Sequence, residues 1–183
     1  GFTEAVETDQ EVLITKYVVN CAGVWAPEIG NMVGIDIPIK PRRGQLLVAE
    51  KTFPVGKRKI AEFGYMMAKF GDENYKRNVS TELEDLGIAF VFEPTLSDNF
   101  LIGSSRSFAG FDTRVSIEVM QGLAKRAIRF FPVMKDIHVI RAYAGLRPYV
   151  DDHMPIISKV DEISAFYIYF IKLIIIIFRF CSF

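Results

Sequence analysis

The segment from about Ser116 to Phe131 constrains the fold more than any other stretch of the chain. Val119, Met120, Leu123, Ala124, Ala127, Ile128 and Phe131 recur at i, i+3, i+4 and i+7, on one stripe of an α-helix. Ser116 can cap this helix and Glu118 suits its positive N-terminal end. Lys125, Arg126 and Arg129 suit the other end, and Pro132 stops it. The stripe reads as core packing, not as a cofactor box, so it needs an apolar layer to lie on. The composition can supply one. Half of the 183 residues are hydrophobic, with sixteen Phe and seven Tyr, and the size suits one domain or one and a half.

Charge and cysteine usage exclude several classes. Lys and Arg total 22 and Asp and Glu total 22, so there is no basic excess for nucleic acid. Cys21 and Cys181 cannot build a disulfide scaffold or a Cys-rich zinc site, and His138 and His153 leave little for a multi-His metal centre. No metal site is expected. No basic n-region with a following apolar run marks a signal peptide.

Along the chain, Val12–Thr15 and Tyr17–Val19 read as short strands. The second runs into Asn20-Cys21-Ala22-Gly23, small residues that let another backbone or a ligand come close. Pro27 sits where a first helical position would be, Ile29, Met32 and Val33 have helical spacing, and Gly34 is a C′ glycine. Pro38 and Pro41 make residues 35–41 an extended edge or crossover. Gly44 reads as a turn and Gln45–Glu50 as a strand. Lys51–Lys59 is a polar loop whose Lys57-Arg58-Lys59 run reads as a solvated turn. Ile60–Phe70 reads as a strand and Asp72–Leu86 as a charged surface excursion. Gly87–Phe92 and Phe100–Gly103 form a hairpin-like pair. After the helix come a strand over Ile137–Tyr143 and a turn at Gly145.

No nucleophile elbow is present: Ser104-Ser105 follows a glycine but lacks the second glycine. Gly-x-Gly-x-x-Gly is absent. Asp151-Asp152-His153 reads as a solvated turn. Arg147 stands out, because Gly145 and Pro148 frame a guanidinium on a stiff segment, which suits bidentate capture of a carboxylate. The structural alternative has Arg147 capping carbonyls or pairing with Asp151 or Asp152.

Four segments in order resemble the D-amino-acid-oxidase-like family of FAD-dependent oxidoreductases, which includes glycine oxidase, the sarcosine oxidase β-subunit and D-amino acid dehydrogenases. They are Tyr17-Val-Val-Asn-Cys-Ala-Gly-Val-Trp-Ala26, Pro41-Arg-Arg-Gly-Gln45, Asn99-Phe-Leu-Ile-Gly-Ser-Ser-Arg106 and Arg141-Ala-Tyr-Ala-Gly-Leu-Arg-Pro148, continued by Asp152–Ile157. The resemblance implies an α/β chain. Part of a Rossmann-like FAD-binding domain (residues 1–43) precedes a substrate domain with a mixed, largely antiparallel sheet and flanking helices (44–139). A return segment to the FAD domain (140–167) follows. It implies FAD contacts at Ala22, Gly23, Trp25, Arg43, Gly44, Gln45 and Gly145. It implies Arg147 on the substrate carboxylate, with Tyr65 and Tyr143 as candidate pocket walls; Tyr in a sheet is also ordinary packing. It nominates no catalytic base. The implied chemistry oxidises the C–N bond of an amino acid or secondary amine, with hydride passing to the flavin and an imine as product.

Two departures from the pattern shape the expectations. The Gly-rich turn for the FAD pyrophosphate is not in this sequence, and the match breaks off after Phe166-Tyr-Ile168. The apolar tail from Ile168 to Phe183 reads foremost as out-of-frame translation. A partly buried strand and a marginal membrane anchor are the other readings, and no membrane span is expected because the tail is shorter than the roughly 20 apolar residues one needs. The chain is therefore expected to be a fragment that neither holds FAD tightly nor turns over alone. The alternative is a non-catalytic remnant or a module acting through a partner subunit. A cytoplasmic location is expected, at most peripheral to the inner face of the membrane.

Overall fold

The computed structural model describes residues 2–51, 56–70 and 78–170. In chain order the elements are β1 (Ala5–Glu7), β2 (Val12–Ile14), β3 (Val18–Asn20), α1 (Ala26–Met32), β4 (Lys40–Ala49), β5 (Ile60–Ala61), α2 (Phe63–Phe70), α3 (Thr81–Asp85), β6 (Val91–Pro94), β7 (Phe100–Gly103), α4 (Ile117–Phe130), β8 (Val139–Tyr149), β9 (Ile156–Lys159) and β10 (Phe166–Phe170). The chain divides into two units: one runs up to Lys40 and resumes at Pro148, the other is Pro41–Arg147. The class is mixed α/β with largely antiparallel sheets.

In the first unit β10 is the middle strand of a three-stranded sheet, parallel to β3 and antiparallel to β9. Phe166, Ile168 and Phe170 alternate inward from β10 and bury with Ala26, Ile37, Ile39, Val150 and Val160. Ile168–Phe170, assigned to the tail by the sequence pattern, are thus part of a core strand; residues 171–183 lie outside the described residues. β1 and β2 form a separate antiparallel hairpin. Pro27 sits in the first turn of α1, and Gly34, just past its end, takes φ +77°, as the sequence predicts.

The second unit is a five-stranded sheet in the order β5-β6-β7-β4-β8. The β6–β7 hairpin pairs Phe92 with Ile102 and Pro94 with Phe100. Helix α4 forms where predicted, with the Ser116 hydroxyl accepting from the Val119 N–H at 3.2 Å. Its Val119, Leu123 and Ala127 pack on Leu47, Ala49, Phe92, Phe100 and Ile102 of the sheet.

Three sequence expectations are corrected here. Gly44 is not a turn: it lies inside β4, where a Cβ would meet the Ser105 carbonyl at 3.4 Å, an ordinary contact. Gly145 is not a turn either, because β8 runs through it to Tyr149. Ile60–Phe70 is not one strand. It breaks after Ala61, where Arg126 of α4 holds the buried Glu62 carboxylate at 2.7 Å, and the Met66-Met67-Ala68-Lys69 stretch that follows favours helix. Arg126 is accordingly a buried partner rather than a charge at the helix terminus. Of the predicted excursion from Asp72 to Leu86, α3 is a short helix and residues 71–77 lie outside the described set.

If the helix-on-sheet contact carries this unit, Leu123→Ala should cost about 2–5 kcal/mol in denaturant unfolding. Ile117→Ala, on the exposed side of the same helix, should stay within about 0.5 kcal/mol.

Candidate functional site

In the first unit the candidate residues lie on the turn between β3 and α1. Asn20 sets that turn. Its side chain is buried; Nδ2 donates to the Ala26 carbonyl at 2.9 Å and Oδ1 accepts from the Ala22 N–H at 3.2 Å. The Trp25 N–H closes back on the Ala22 carbonyl at 3.1 Å. Gly23 takes φ +61°, and among the described residues beyond its chain neighbours no atom lies within 4 Å of where its Cβ would be. Bare backbone is therefore presented at Ala22-Gly23, beside Trp25, which is 53% exposed.

In the second unit β4 carries Arg43, Gly44 and Gln45. The Gln45 side chain is buried, and its Oε1 accepts from the Ser116 N–H at 2.8 Å. Its backbone N–H donates to the Ser105 hydroxyl at 3.1 Å. Arg43 exchanges backbone hydrogen bonds with Ser107, at 2.8 and 3.0 Å. Its guanidinium Nη1 reaches Asp112 Oδ2 at 3.0 Å and the Arg114 carbonyl at 3.2 Å. Both side chains are thus committed to the loop that leads into α4.

β8 carries the other candidates. Ala142 packs on the α4 side of the sheet. Alternation then places Tyr143, Gly145 and Arg147 together on the opposite face. On β4, Leu47 and Ala49 take the α4 side, so Gly44, Leu46 and Val48 share the face of Arg147. Arg147 is exposed and forms no ion pair with a described residue of its unit. The acidic turn is otherwise engaged: Asp151 meets Lys40 at 2.7 Å, and Asp152 Oδ1 accepts from the Met154 N–H at 2.9 Å. Tyr65 is not on this face of β8. It sits on α2, beyond the strand at the other edge of the sheet, with Arg106 over its ring at 4.4 Å.

Sequence reasoning passed over Asn20, Ser105 and the Glu62–Arg126 pair. Asn before a Cys-Ala-Gly turn is a signal of its own, because its side chain can bond the backbone two residues on. Glu62 and Arg126 lie too far apart in sequence to suggest one another. Cavities of about 660 Å³ in the first unit, lined by Phe2, Glu4 and Ile163, and about 540 Å³ in the second, by Lys57, Pro94 and Phe100, include none of the candidate residues. Among the described residues no group of three His, Cys, Asp or Glu side chains could hold a metal, and no helix is long and apolar enough to cross a membrane.

The second unit thus carries a five-stranded sheet with Tyr143 and Arg147 on one face and α4 on the other, and the first unit carries a strand–Ala-Gly turn–helix. The family model for FAD dependent oxidoreductases matches residues 1–170, and the chain belongs to that family. It is 29% identical over 163 residues to hydrogen cyanide synthase subunit HcnC of Pseudomonas aeruginosa, covering 88% of this chain and 33% of that protein. It is 24% identical to glycine oxidase of Pseudomonas putida, covering 87% of this chain and 37% of that one. The fold matches the crystal structure of L-proline dehydrogenase from P. horikoshii with a TM-score of 0.73 at 20% identity, over 91% of this chain and 40% of the other. The chain thus spans about a third of the length of the first two relatives.

The Asp112 carboxyl, held between Arg114 and Arg43, has a pH signature. The Arg114 guanidinium first, then the Arg114 backbone N–H, with Arg43 adding to them, hold the Asp112 carboxyl at about 2 rather than 3.8. A carboxyl lowered on folding stabilises above its ordinary pKa and loses that contribution as pH falls through its folded value. The melting-temperature gap between the native chain and Asp112→Asn should therefore be constant above about pH 5 and close toward about pH 2. A gap unchanged across that range would contradict the assignment.

Proposed function

We propose that this chain supplies the substrate-facing sheet and one flavin-facing turn of an FAD-dependent oxidoreductase that acts on the C–N bond of an amino acid or secondary amine. Glycine, sarcosine and proline-like compounds are the class. The observation that carries this reading is Arg147: an exposed guanidinium without an ion-pair partner among the described residues of its unit, on the same sheet face as Tyr143. Such a group is suited to take a substrate carboxylate through two parallel hydrogen bonds.

FAD fits the residues present in one respect that is independent of family. Gly23 leaves open space over bare backbone in a conformation that favours glycine, and Gly145 likewise has no atom within 4 Å of a built Cβ. Ala22, Gly23, Trp25 and Gly145 would border the cofactor. Arg43 and Gln45 act by bracing, since their side chains are spent on the 105–116 loop, and Gly44 lies between them on β4. When bound, FAD supplies the two-electron acceptor for oxidation of the amine. The chain's own task is orientation. Arg147 fixes the carboxylate and thereby the direction of the α-hydrogen, and Tyr143 walls the pocket; Tyr65, with Arg106 over its ring at the opposite edge of the sheet, is not assigned to it. No side chain is assigned as a base.

A partner-dependent module is the second reading. It is favoured by the relative named as a subunit and by the share of its length that this chain covers.

In the complete FAD-loaded protein, Arg147→Ala should raise KM for the amino acid about 30–100-fold, as expected for a lost charge-assisted bidentate contact. Turnover of the same amine without its carboxylate should be unchanged. Equal losses for both substrates would remove Arg147 from carboxylate binding.

A further inference from the structure

Past the end of β7, residues 104–107 continue along β4. Arg43 and Ser107 exchange backbone hydrogen bonds at 2.8 and 3.0 Å, and the Ser105 N–H donates to the Gln45 carbonyl at 3.3 Å. These two pairs lie two residues apart on each strand, which leaves Arg106 directly opposite Gly44. Opposite residues of an antiparallel pair send their side chains to the same face. Gln45 and Ser105 are buried, and Gln45 is bonded to the cap of α4. Arg106, next to Ser105, therefore stands on the other face with Gly44, the face that carries Tyr143 and Arg147.

Arg106 is half-buried, and it forms no ion pair with a described residue. A charge withdrawn from water without a counter-charge is costly, so its place calls for an anion. The guanidinium carbon lies 4.4 Å from the centroid of the Tyr65 ring. Stacking uses a face of the guanidinium plane and leaves the N–H groups on its edge for an acceptor. That edge matches the two oxygens of a carboxylate. The floor beside it is low. A Cβ on Gly44 would meet only the Ser105 carbonyl within 4 Å among the described residues beyond its chain neighbours. Arg106 and Arg147 stand on the two strands that flank β4, so about 10 Å of sheet separates their backbones.

We propose that Arg106 is a second carboxylate anchor on this face, and that the substrate is a secondary amine with one carboxylate on each of its two arms. The proposal rests on the reading of Arg147 as the first anchor. Two cations on strands either side of β4 select acidic groups on opposite sides of the nitrogen, since two carboxylates on one carbon would lie too close together to reach both. Arg147 holds the arm that is oxidised. Arg106 holds the other arm and so fixes the rotation of the amine over the sheet. Tyr65 backs the Arg106 guanidinium and is not itself a wall of the pocket. A substrate with a single carboxylate leaves Arg106 unpaired and binds more weakly.

The test uses the complete FAD-loaded protein and two unreactive thioethers, in which sulfur replaces the amine nitrogen. Thiodiacetate carries a carboxylate on each arm and (methylthio)acetate on one arm only. Each is titrated through flavin absorbance. The native protein should bind thiodiacetate about 10–100-fold more tightly than (methylthio)acetate. Arg106→Met should abolish that preference and leave (methylthio)acetate binding unchanged, whereas Arg147→Met should weaken both. Arg106→Lys keeps the charge without the planar fork, should retain only part of the preference, and serves if the methionine variant does not fold. Equal affinity of the native protein for the two thioethers would overturn the proposal. So would an Arg106→Met variant that keeps the preference, or that loses both ligands equally. An Arg147→Met variant that binds both as the native protein does would remove the reading of Arg147, and this proposal with it.

Discussion

The apolar stripe of α4 can be covered by only one face of the five-stranded sheet, and the rest of the second unit follows from which face that is. Leu47 and Ala49 of β4, Phe92 of β6 and Ile102 of β7 turn toward the helix. Strand pleating then sends their neighbours the other way. Ala142 packed on the core puts Tyr143, Gly145 and Arg147 on the opposite side. A one-residue slip of β8 would turn Arg147 to the α4 side of the sheet and Ala142 away from it. The presentation of the guanidinium is thus a consequence of core packing. Gln45 holds the arrangement in register: its amide oxygen takes the N–H of Ser116, the cap of α4, while its backbone N–H takes Ser105.

The ion pairs of the chain do different work according to burial. Lys40–Asp151, with side chains 57% and 71% exposed, adds little to stability. Glu62–Arg126, at 3% and 7%, is costly to break because either partner alone would be a buried charge. Arg126 also lies over the Phe130 ring at 5.1 Å. Glu62 lies between β5 and α2, so the pair ties that junction to α4.

What the sequence could reveal was local. Helix α4 was legible to within a residue at each end, because its stripe, cap and stop agree. The Pro27 helix start was legible as well, and so was the pairing of β6 with β7, although its first strand was expected at Gly87–Phe92 and runs Val91–Pro94; the small residues at Ala22-Gly23 were noted, the turn they make was not. Gly44 and Gly145 were misread because a glycine looks alike whether it bends the chain or lies inside a strand, and only the pairing of β4 and β8 in the sheet distinguishes the two. Ile60–Phe70 was misread because a distant residue, Arg126, ends the strand at Glu62. At the site, Arg147 could be singled out from its Gly and Pro neighbours. Its face on the sheet could not, since that depends on α4, and neither could the internal commitments of Arg43 and Gln45.

The central claim is that the sheet face opposite α4 takes a carboxylate on Arg147. The most direct measurement is the binding of an unreactive carboxylate analogue of the substrate to the complete FAD-loaded protein, followed through flavin absorbance. The native protein is expected to give a saturable difference spectrum, and Arg147→Met to weaken binding about 30–100-fold while its unliganded flavin spectrum stays unchanged. Equal binding by both forms would contradict the claim.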